Sequence, residues 1–182
     1  MNFNESNTVE QVILDALSSH GSGSGGAWVL HEDPPGWGGS LGGELRPAKW
    51  EFVPAAGVPR QRADVMVEAW LRLALMRLNP EIAAQPDRAD EVIYALRAIL
   101  LSVQGDGLVR ANENLMAWLR GEKTMPFGPN GQHVPVRLVD AANAGQNQLV
   151  VTNQWVYQVG AVEKRFDVVF VVNGLPLAIA LI

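Results

Sequence analysis

One carboxylate inside an otherwise apolar strand is the residue of this sequence best placed to do chemistry. Asp167 lies in residues 164–172, KRFDVVFVV, where valine and phenylalanine dominate. It could be a half-exposed aspartate at the start of an edge strand. It could instead be a metal ligand on a rigid β-scaffold, because a bound cation neutralises a negative charge near apolar surroundings. The strand pattern leaves both interpretations open.

A second carboxylate, Glu10, lies at the start of a predicted amphipathic helix. The apolar residues that define this helix recur at the spacing of one helical face: Val9, Val12, Ile13, Ala16 and Leu17. Asn7 and Glu10 have the spacing of a capping box, in which the acid also favours the positive end of the helix dipole. Glu10 could therefore cap the helix, serve as a functional acid, or do both.

Other arrangements that carry chemistry are missing from the sequence. His20, His31 and His133 lack metal-ligand spacing, and the chain has no cysteine, so a zinc site is not expected. No Walker phosphate-binding motif and no G-x-S-x-G serine elbow occurs. The glycine-rich residues 21–26 have no strand before them and no helix after them, so we interpret them as a linker.

Three helices are predicted between about residues 60 and 121. The first ends at Asn79-Pro80, because proline disfavours the helical conformation in the residue before it. Its apolar face is marked by Met66, Trp70, Leu73 and Met76, and it is widened by Leu71, Leu75 and Leu78. The second starts at Asp87 or Asp90, and its apolar stripe is Val92, Ile93, Leu96, Ile99, Leu100 and Val103. The third covers about residues 108–119.

Strands are predicted on both sides of this helical region. A short strand is predicted at 27–30, followed by a Gly/Pro-rich loop at 33–48. Alternation predicts a half-buried strand over 134–138, and residues 149–159 are rich in strand-forming residues. Near the end, Asn173-Gly174 separates two apolar runs, which predicts a β-hairpin because both residues tolerate positive φ.

Composition sets the broad class of the protein. The chain has 182 residues, 48% of them hydrophobic and 18% charged, which is typical of one globular domain. The net charge of −5 means that any contact with DNA must come from a local basic patch. The absence of cysteine, of a signal peptide and of a membrane-length apolar run predicts a cytoplasmic protein that contacts no membrane.

Six segments, spread over most of the sequence, together carry a family resemblance. They are 4–10 (NESNTVE), 75–80 (LMRLNP), 112–121 (NENLMAWLRG), 136–140 (VRLVD), 147–154 (NQLVVTNQ) and 165–177 (RFDVVFVVNGLPL). With these segments the chain resembles the N-terminal nuclease region of the restriction (R) subunit of type I restriction–modification systems. The last two segments are the most specific. We therefore interpret residues 1–182 as one nuclease-like domain with a helical subregion at about 60–121.

The resemblance implies a PD-(D/E)xK-type α/β fold, a mixed sheet with a C-terminal hairpin flanked by an N-terminal helix and a helical insertion. It also implies Mg²⁺-dependent endonuclease activity on double-stranded DNA. Asp167 would be the strand acid and Glu10 the helix acid, with Glu5 as the alternative, and both acids would bind the metal. The implied partners are the methylation and specificity subunits and the helicase domains of the R subunit itself.

The sequence departs from the family where the resemblance expects an E-x-K element. Leu181 stands at the glutamate position, fourteen residues beyond Asp167, and the lysine position lies past Ile182. We therefore expect a truncated region without helicase domains, with weak or absent Mg²⁺ binding and no catalysis. The alternatives are a non-catalytic remnant and a protein-interaction or DNA-binding module. A two-residue turn would place residue 180 opposite Asp167, and a three-residue turn with a bulge would place Leu181 there; we favour the second.

Overall fold

The computed structural model describes residues 49–181. The helix predicted around Glu10, the strand predicted at 27–30 and the loop predicted at 33–48 lie outside this range. Within it, four α-helices are followed by most of the β-structure, so the mixed α/β content expected from the sequence is confirmed.

The helices form the first half of the described chain. Their bounds are α1 Glu68–Leu78, α2 Pro80–Ala84, α3 Arg88–Asp106 and α4 Leu108–Leu119. The second and third predicted helices correspond to α3 and α4, with Asp87 directly before α3 as predicted. Pro80 ends α1 as predicted, but it also starts α2, because proline is well suited to the first position of a helix.

The prediction for α1 is wrong in its start and in part of its buried face. The helix begins at Glu68 rather than near Arg60, because side chains hold the preceding residues in turns. The Arg60 guanidinium donates to the carbonyl oxygens of Gln61 and Asp64, at 2.7 Å each. Leu73, assigned to the buried face, is 60% exposed. The buried residues of the helix are Leu71, Ala74 and Leu75.

The main sheet of the described residues has four strands in the order β1-β4-β5-β6. These strands are β1 Glu51–Phe52, β4 Leu149–Val159, β5 Val162–Val172 and β6 Leu175–Ala180. The sheet is mixed, because β1 pairs with β4 in parallel while β4, β5 and β6 are antiparallel. A separate two-stranded sheet joins β2 Thr124–Met125 to β3 Val134–Pro135.

The strand predicted over 134–138 is shorter than expected. Val136 and Leu138 are buried as the alternation indicated, but pairing in β3 ends at Pro135. Beyond it, the backbone N–H of Arg137 donates to Asn79 Oδ1 at 2.8 Å, and the Arg137 carbonyl accepts from Asn79 Nδ2 at 2.9 Å. A side-chain amide therefore satisfies the backbone groups that a partner strand would otherwise satisfy.

Apolar side chains of β4 and β5 form clusters on both faces of the sheet, because successive residues of a strand point to opposite faces. On one face, Val150, Val169 and Val171 pack with Val58 and Val67, which precede α1. On the other face, Val151 and Val168 pack with Trp50, Phe170 and Ala180. A third cluster joins the four helices to Phe127, Val136, Leu138 and Leu175, and so ties the helical region to the hairpin.

Candidate functional site

Asp167 lies on β5, a strand with a partner on each side. Its side chain is half-buried between Phe166 and Val168. Val168 pairs with Asn153 of β4 and with Ala180 of β6. One step further along each register, Asp167 comes beside Gln154 on one side and Leu181 on the other. The sheet therefore brings these three positions side by side.

The position of Leu181 depends on a bulge within the hairpin. Val172 pairs with Leu175, so the turn has the two residues Asn173 and Gly174, and the predicted three-residue turn is wrong. The register then shifts between Val171–Pro176 and Phe170–Ala178, which leaves Leu177 as an extra residue in β6. Continued one residue past the end of β6, the shifted register places Leu181 beside Asp167. This is the neighbour that the sequence predicted, but the bulge in β6 produces it rather than a longer turn.

Gln154 is the residue opposite Asp167, and its backbone is unusual. Its φ is 51°, in the left-handed region that is uncommon for residues other than glycine. The ladder pairs Asn153 with Val168 and Trp155 with Phe166, on either side of Gln154 and Asp167. Both Gln154 and Asp167 make further interactions. Such backbone conformations concentrate at functional sites, where the surrounding structure holds them in place.

The conformation at Gln154 changes which face of the sheet the following residues cover. Strict alternation would put Trp155 and Phe166 on the face opposite Val150 and Val169. Instead, Trp155 and Phe166 pack in the same cluster as those valines. The two strands therefore twist sharply at Gln154 and Asp167, and the pair marks the boundary between the four-stranded part of the sheet and a two-stranded extension.

The described residues supply only part of a metal site. No group of three or more His, Asp or Glu side chains within residues 49–181 is arranged to hold a metal ion. The carboxylate of Asp167 and the amide of Gln154 offer oxygen donors, the kind that Mg²⁺ prefers, and Leu181 offers none. The donors therefore fit Mg²⁺ in kind but not in number. Glu10 and Glu5 lie outside the described residues.

The turn of the hairpin is fixed by a buried asparagine side chain. Asn173 is fully buried, with φ of 52°. Its Oδ1 accepts from the Gln148 backbone N–H at 2.8 Å and from Arg77 Nη2 at 3.0 Å. Its Nδ2 donates to the Leu138 carbonyl at 2.8 Å and to Asn147 Oδ1 at 2.9 Å. One amide thus joins the turn to α1, to the 138–147 loop and to the start of β4.

Gly174 completes this junction by close contact with α1. The backbone N–H of Val67 donates to the Gly174 carbonyl at 2.8 Å. A Cβ on Gly174 would lie 2.4 Å from the Val67 carbonyl oxygen and 2.7 Å from the Leu71 nitrogen. Because φ is also 84°, glycine alone fits here without strain. The junction holds the start of the hairpin whose far end carries Asp167.

The sequence predicted Asp167 and the Asn173-Gly174 turn, but it did not predict the conformation of Gln154 or the buried role of the Asn173 side chain. A glutamine at position 154 fits an ordinary strand, so its positive φ cannot be recognised from the sequence. Asn173 was interpreted only as tolerating the turn conformation, whereas its amide also bonds Asn147, which lies in the segment 147–154.

The sequence profile of one family, the type I restriction enzyme R protein N terminus, matches residues 44–180, about three quarters of the chain. The chain belongs to this family. The match includes Asp167 and Gln154 but neither Glu10 nor Leu181.

Comparisons with curated proteins and with solved structures give no match. Within residues 49–181 no helix is both long and apolar enough to cross a membrane.

Proposed function

We propose that this chain contributes the nuclease region at the N terminus of a type I restriction enzyme R protein, acting on double-stranded DNA with Mg²⁺. In this proposal Asp167 is one metal-binding acid, and Glu10, or alternatively Glu5, supplies another. The partners are the methylation and specificity subunits and the helicase domains of the R protein, in the cytoplasm. When bound, the cation polarises a phosphodiester and lowers the pKa of a bound water.

The observation that supports the proposal is the register of the hairpin. Asp167 and position 181 are fourteen residues apart in sequence, yet the two-residue turn and the bulge at Leu177 bring them side by side. Two carboxylates at these positions would converge on one cation from adjacent strands. This register supports the proposal of a metal site shared by the two strands, whichever residue occupies position 181.

Leu181 favours a second candidate function, a DNA-binding or protein-interaction module without catalysis. A leucine side chain carries no ligand atom, and at 73% exposure Leu181 contributes little to the core. One or two carboxylates without further ligands leave Mg²⁺ with most of its water shell and bind it weakly. The nuclease function requires a cation held at Asp167. The non-catalytic module does not require one, and in that case the missing ligand at residue 181 explains weak metal binding.

Calorimetric titration of the 182-residue chain with Mg²⁺ and Mn²⁺ tests the proposal. We expect weak binding by the unmodified chain and a gain of roughly tenfold or more in affinity for Leu181→Glu, because a second carboxylate then faces Asp167. Adding Asp167→Asn to that variant should remove the gain. Ala178→Glu is the matched control, since it places the same new charge at an exposed position of the same strand, paired with Phe170 rather than with Asp167.

Two results would contradict the assignment of the site. If Leu181→Glu binds metal no better than Ala178→Glu, the two strands do not share a cation. If the unmodified chain binds Mg²⁺ tightly and Asp167→Asn leaves that binding intact, the ligands are other residues. A plasmid-cleavage assay with Mg²⁺ separates the two candidate functions, since the non-catalytic module predicts intact plasmid with the unmodified chain.

A further inference from the structure

We propose that the two-stranded ribbon formed by residues 155–166 contacts the phosphate backbone of duplex DNA beside Asp167. This inference rests on the proposed function, in that it takes DNA as the partner, and it adds the surface that DNA would meet. We call residues 155–166 the ribbon.

The ribbon extends beyond the four-stranded part of the sheet. Among the described residues, β6 pairs with β5 only as far as Val168, and β1 pairs with β4 only at Val150 and Val151. Beyond Gln154 and Asp167, β4 and β5 continue for five further pairs, from Trp155–Phe166 to Val159–Val162. At about 3.3 Å per residue, these pairs make the ribbon roughly 15 Å long.

A tight turn and a neighbouring segment hold the ribbon in one conformation. Gly160, with φ of 58°, opens its two-residue turn, as a type II′ hairpin requires. The Gln158 backbone N–H donates to the Arg62 carbonyl at 2.9 Å. The Arg60 guanidinium lies 3.7 Å from the centre of the Trp155 ring and donates to the Val156 carbonyl. Partial burial lowers the pKa of Arg60, which stays a cation in this setting.

The net charge of the ribbon is opposite in sign to that of the whole chain, because Lys164 and Arg165 outnumber Glu163. Arg62 is paired with Glu163 at 3.7 Å and with the Gln158 side chain at 3.3 Å. Lys164 and Arg165 are exposed and form no ion pair with any residue in the range 49–181. A chain of net charge −5 repels DNA overall. The unpaired cations Lys164 and Arg165 therefore make the ribbon the surface on which a phosphate backbone can approach.

The open edge of the ribbon among the described residues is β5, because residues 60–62 hydrogen-bond to the edge of β4 at Val156 and Gln158. Side chains alternate along a strand, so Lys164 and Arg165 point to opposite faces of β5 and can each reach a different phosphate. Lys164 is three residues from Asp167, about 10 Å along the strand, which is about the rise of three base pairs along the DNA axis.

Salt-dependent binding of the 182-residue chain to a fluorescent DNA duplex, measured by anisotropy, tests this inference. The variant is Lys164→Gln with Arg165→Gln. The matched control is Arg110→Gln with Arg137→Gln, which removes the same charge from two exposed arginines that lie outside the ribbon and have no ion pair among the described residues. Circular dichroism checks that both variants stay folded.

Loss of two phosphate contacts should lower the slope of log affinity against log salt concentration by about 1.8. Between about 50 and 200 mM salt, the unmodified chain should therefore lose about twelvefold more affinity than the ribbon variant, while the control variant behaves like the unmodified chain. Equal slopes for the two variants would overturn the ribbon contact and leave DNA binding in place. No binding of the duplex by the unmodified chain at 50 mM salt would also overturn it, and the metal titration would then decide the site at Asp167 independently.

Discussion

Replacing Asn173 by glycine isolates the contribution of one buried amide to the hairpin that carries Asp167. Glycine accepts the φ of 52° without strain, so this change removes the side-chain hydrogen bonds and keeps the turn conformation. Of the four partners, Arg77 and Asn147 are polar side chains at partly exposed positions that can turn to water. The Leu138 carbonyl and the Gln148 N–H are backbone groups fixed in place.

The expected loss follows from those two backbone groups. A buried donor or acceptor left without a partner costs about 1–3 kcal/mol, so Asn173→Gly, which leaves two such groups, should lower the free energy of unfolding by about 2–6 kcal/mol. Asn173→Ala removes the same hydrogen bonds and adds the cost of a left-handed conformation for a residue with a Cβ, roughly 1–2 kcal/mol. The expected order of stability is therefore asparagine, then glycine, then alanine.

Urea unfolding followed by tryptophan fluorescence measures both differences, since the chain has six tryptophans. The denaturant slope should stay the same across the three proteins, because the change is local. A loss below about 1 kcal/mol for Asn173→Gly would mean that water replaces the amide and that the junction is not held by Asn173. Equal stability of the glycine and alanine variants would mean that the turn relaxes away from positive φ.

Three further changes test other parts of the fold. Gly174→Ala should cost about 3 kcal/mol or more, because its Cβ would overlap the Val67 carbonyl; a folded variant with unchanged urea midpoint would contradict the contact. Thr152→Val should be neutral or stabilising by about 1 kcal/mol, since the buried Thr152 hydroxyl has no hydrogen-bond partner within residues 49–181; a clear loss of stability would reveal one. The hydrogen bond from Arg72 lowers the pKa of Asp90 below its ordinary value of 3.8. The advantage of the unmodified chain over Asp90→Asn should therefore be present above pH 3.8 and vanish as the pH falls through the lowered pKa, and an advantage that does not decline as the pH falls below 3.8 would contradict the pairing.

The parts of the fold that the sequence predicted correctly are those set by local patterns. α3 and α4 have continuous apolar stripes, and glycine at position 107 separates them, so their bounds follow from the spacing. β1 could not be predicted in this way. It has only two residues, and its partners Val150 and Val151 are about a hundred positions away in the sequence. Its pairing depends on tertiary contacts that no local window contains.

The exposed position of Leu73 shows how tertiary contacts select among the residues of an apolar face. Leu71 and Leu75 of the predicted face are buried together with Ala74, whereas Leu73 is 60% exposed. Hydrophobic spacing defines a stripe without defining which edge of the stripe meets the core. The start of the helix was misjudged because Arg60 and Asp64 form side-chain bonds to nearby backbone groups, which compete with helix formation.

For the candidate site, the sequence predicted a carboxylate in a strand but not the conformation around it. Asp167 stands out in residues 164–172 as a charged residue among apolar ones. The positive φ of Gln154 is a consequence of how β4 and β5 twist past each other, and glutamine has no intrinsic preference for this conformation that would predict it. The sequence predicted correctly that Leu181 lies beside Asp167, but it predicted the wrong turn. An extra residue in the turn and a bulge inside β6 shift the register by the same one residue, so both give the same neighbour.

The hairpin shows that the position of the site is set by residues that could not bind a metal. Without the bulge at Leu177, the two-residue turn would place Ala180 beside Asp167 and shift Leu181 to the next pair. Because neighbouring positions on a strand face opposite sides of the sheet, that one-residue shift would turn side chain 181 away from the face that Asp167 presents. Asn173 and Gly174 fix the start of the register, and Leu177 corrects it by one residue. The scaffold is thus independent of whether residue 181 is a leucine or a carboxylate, so a change at that position alters the chemistry of the site without altering the frame that holds it.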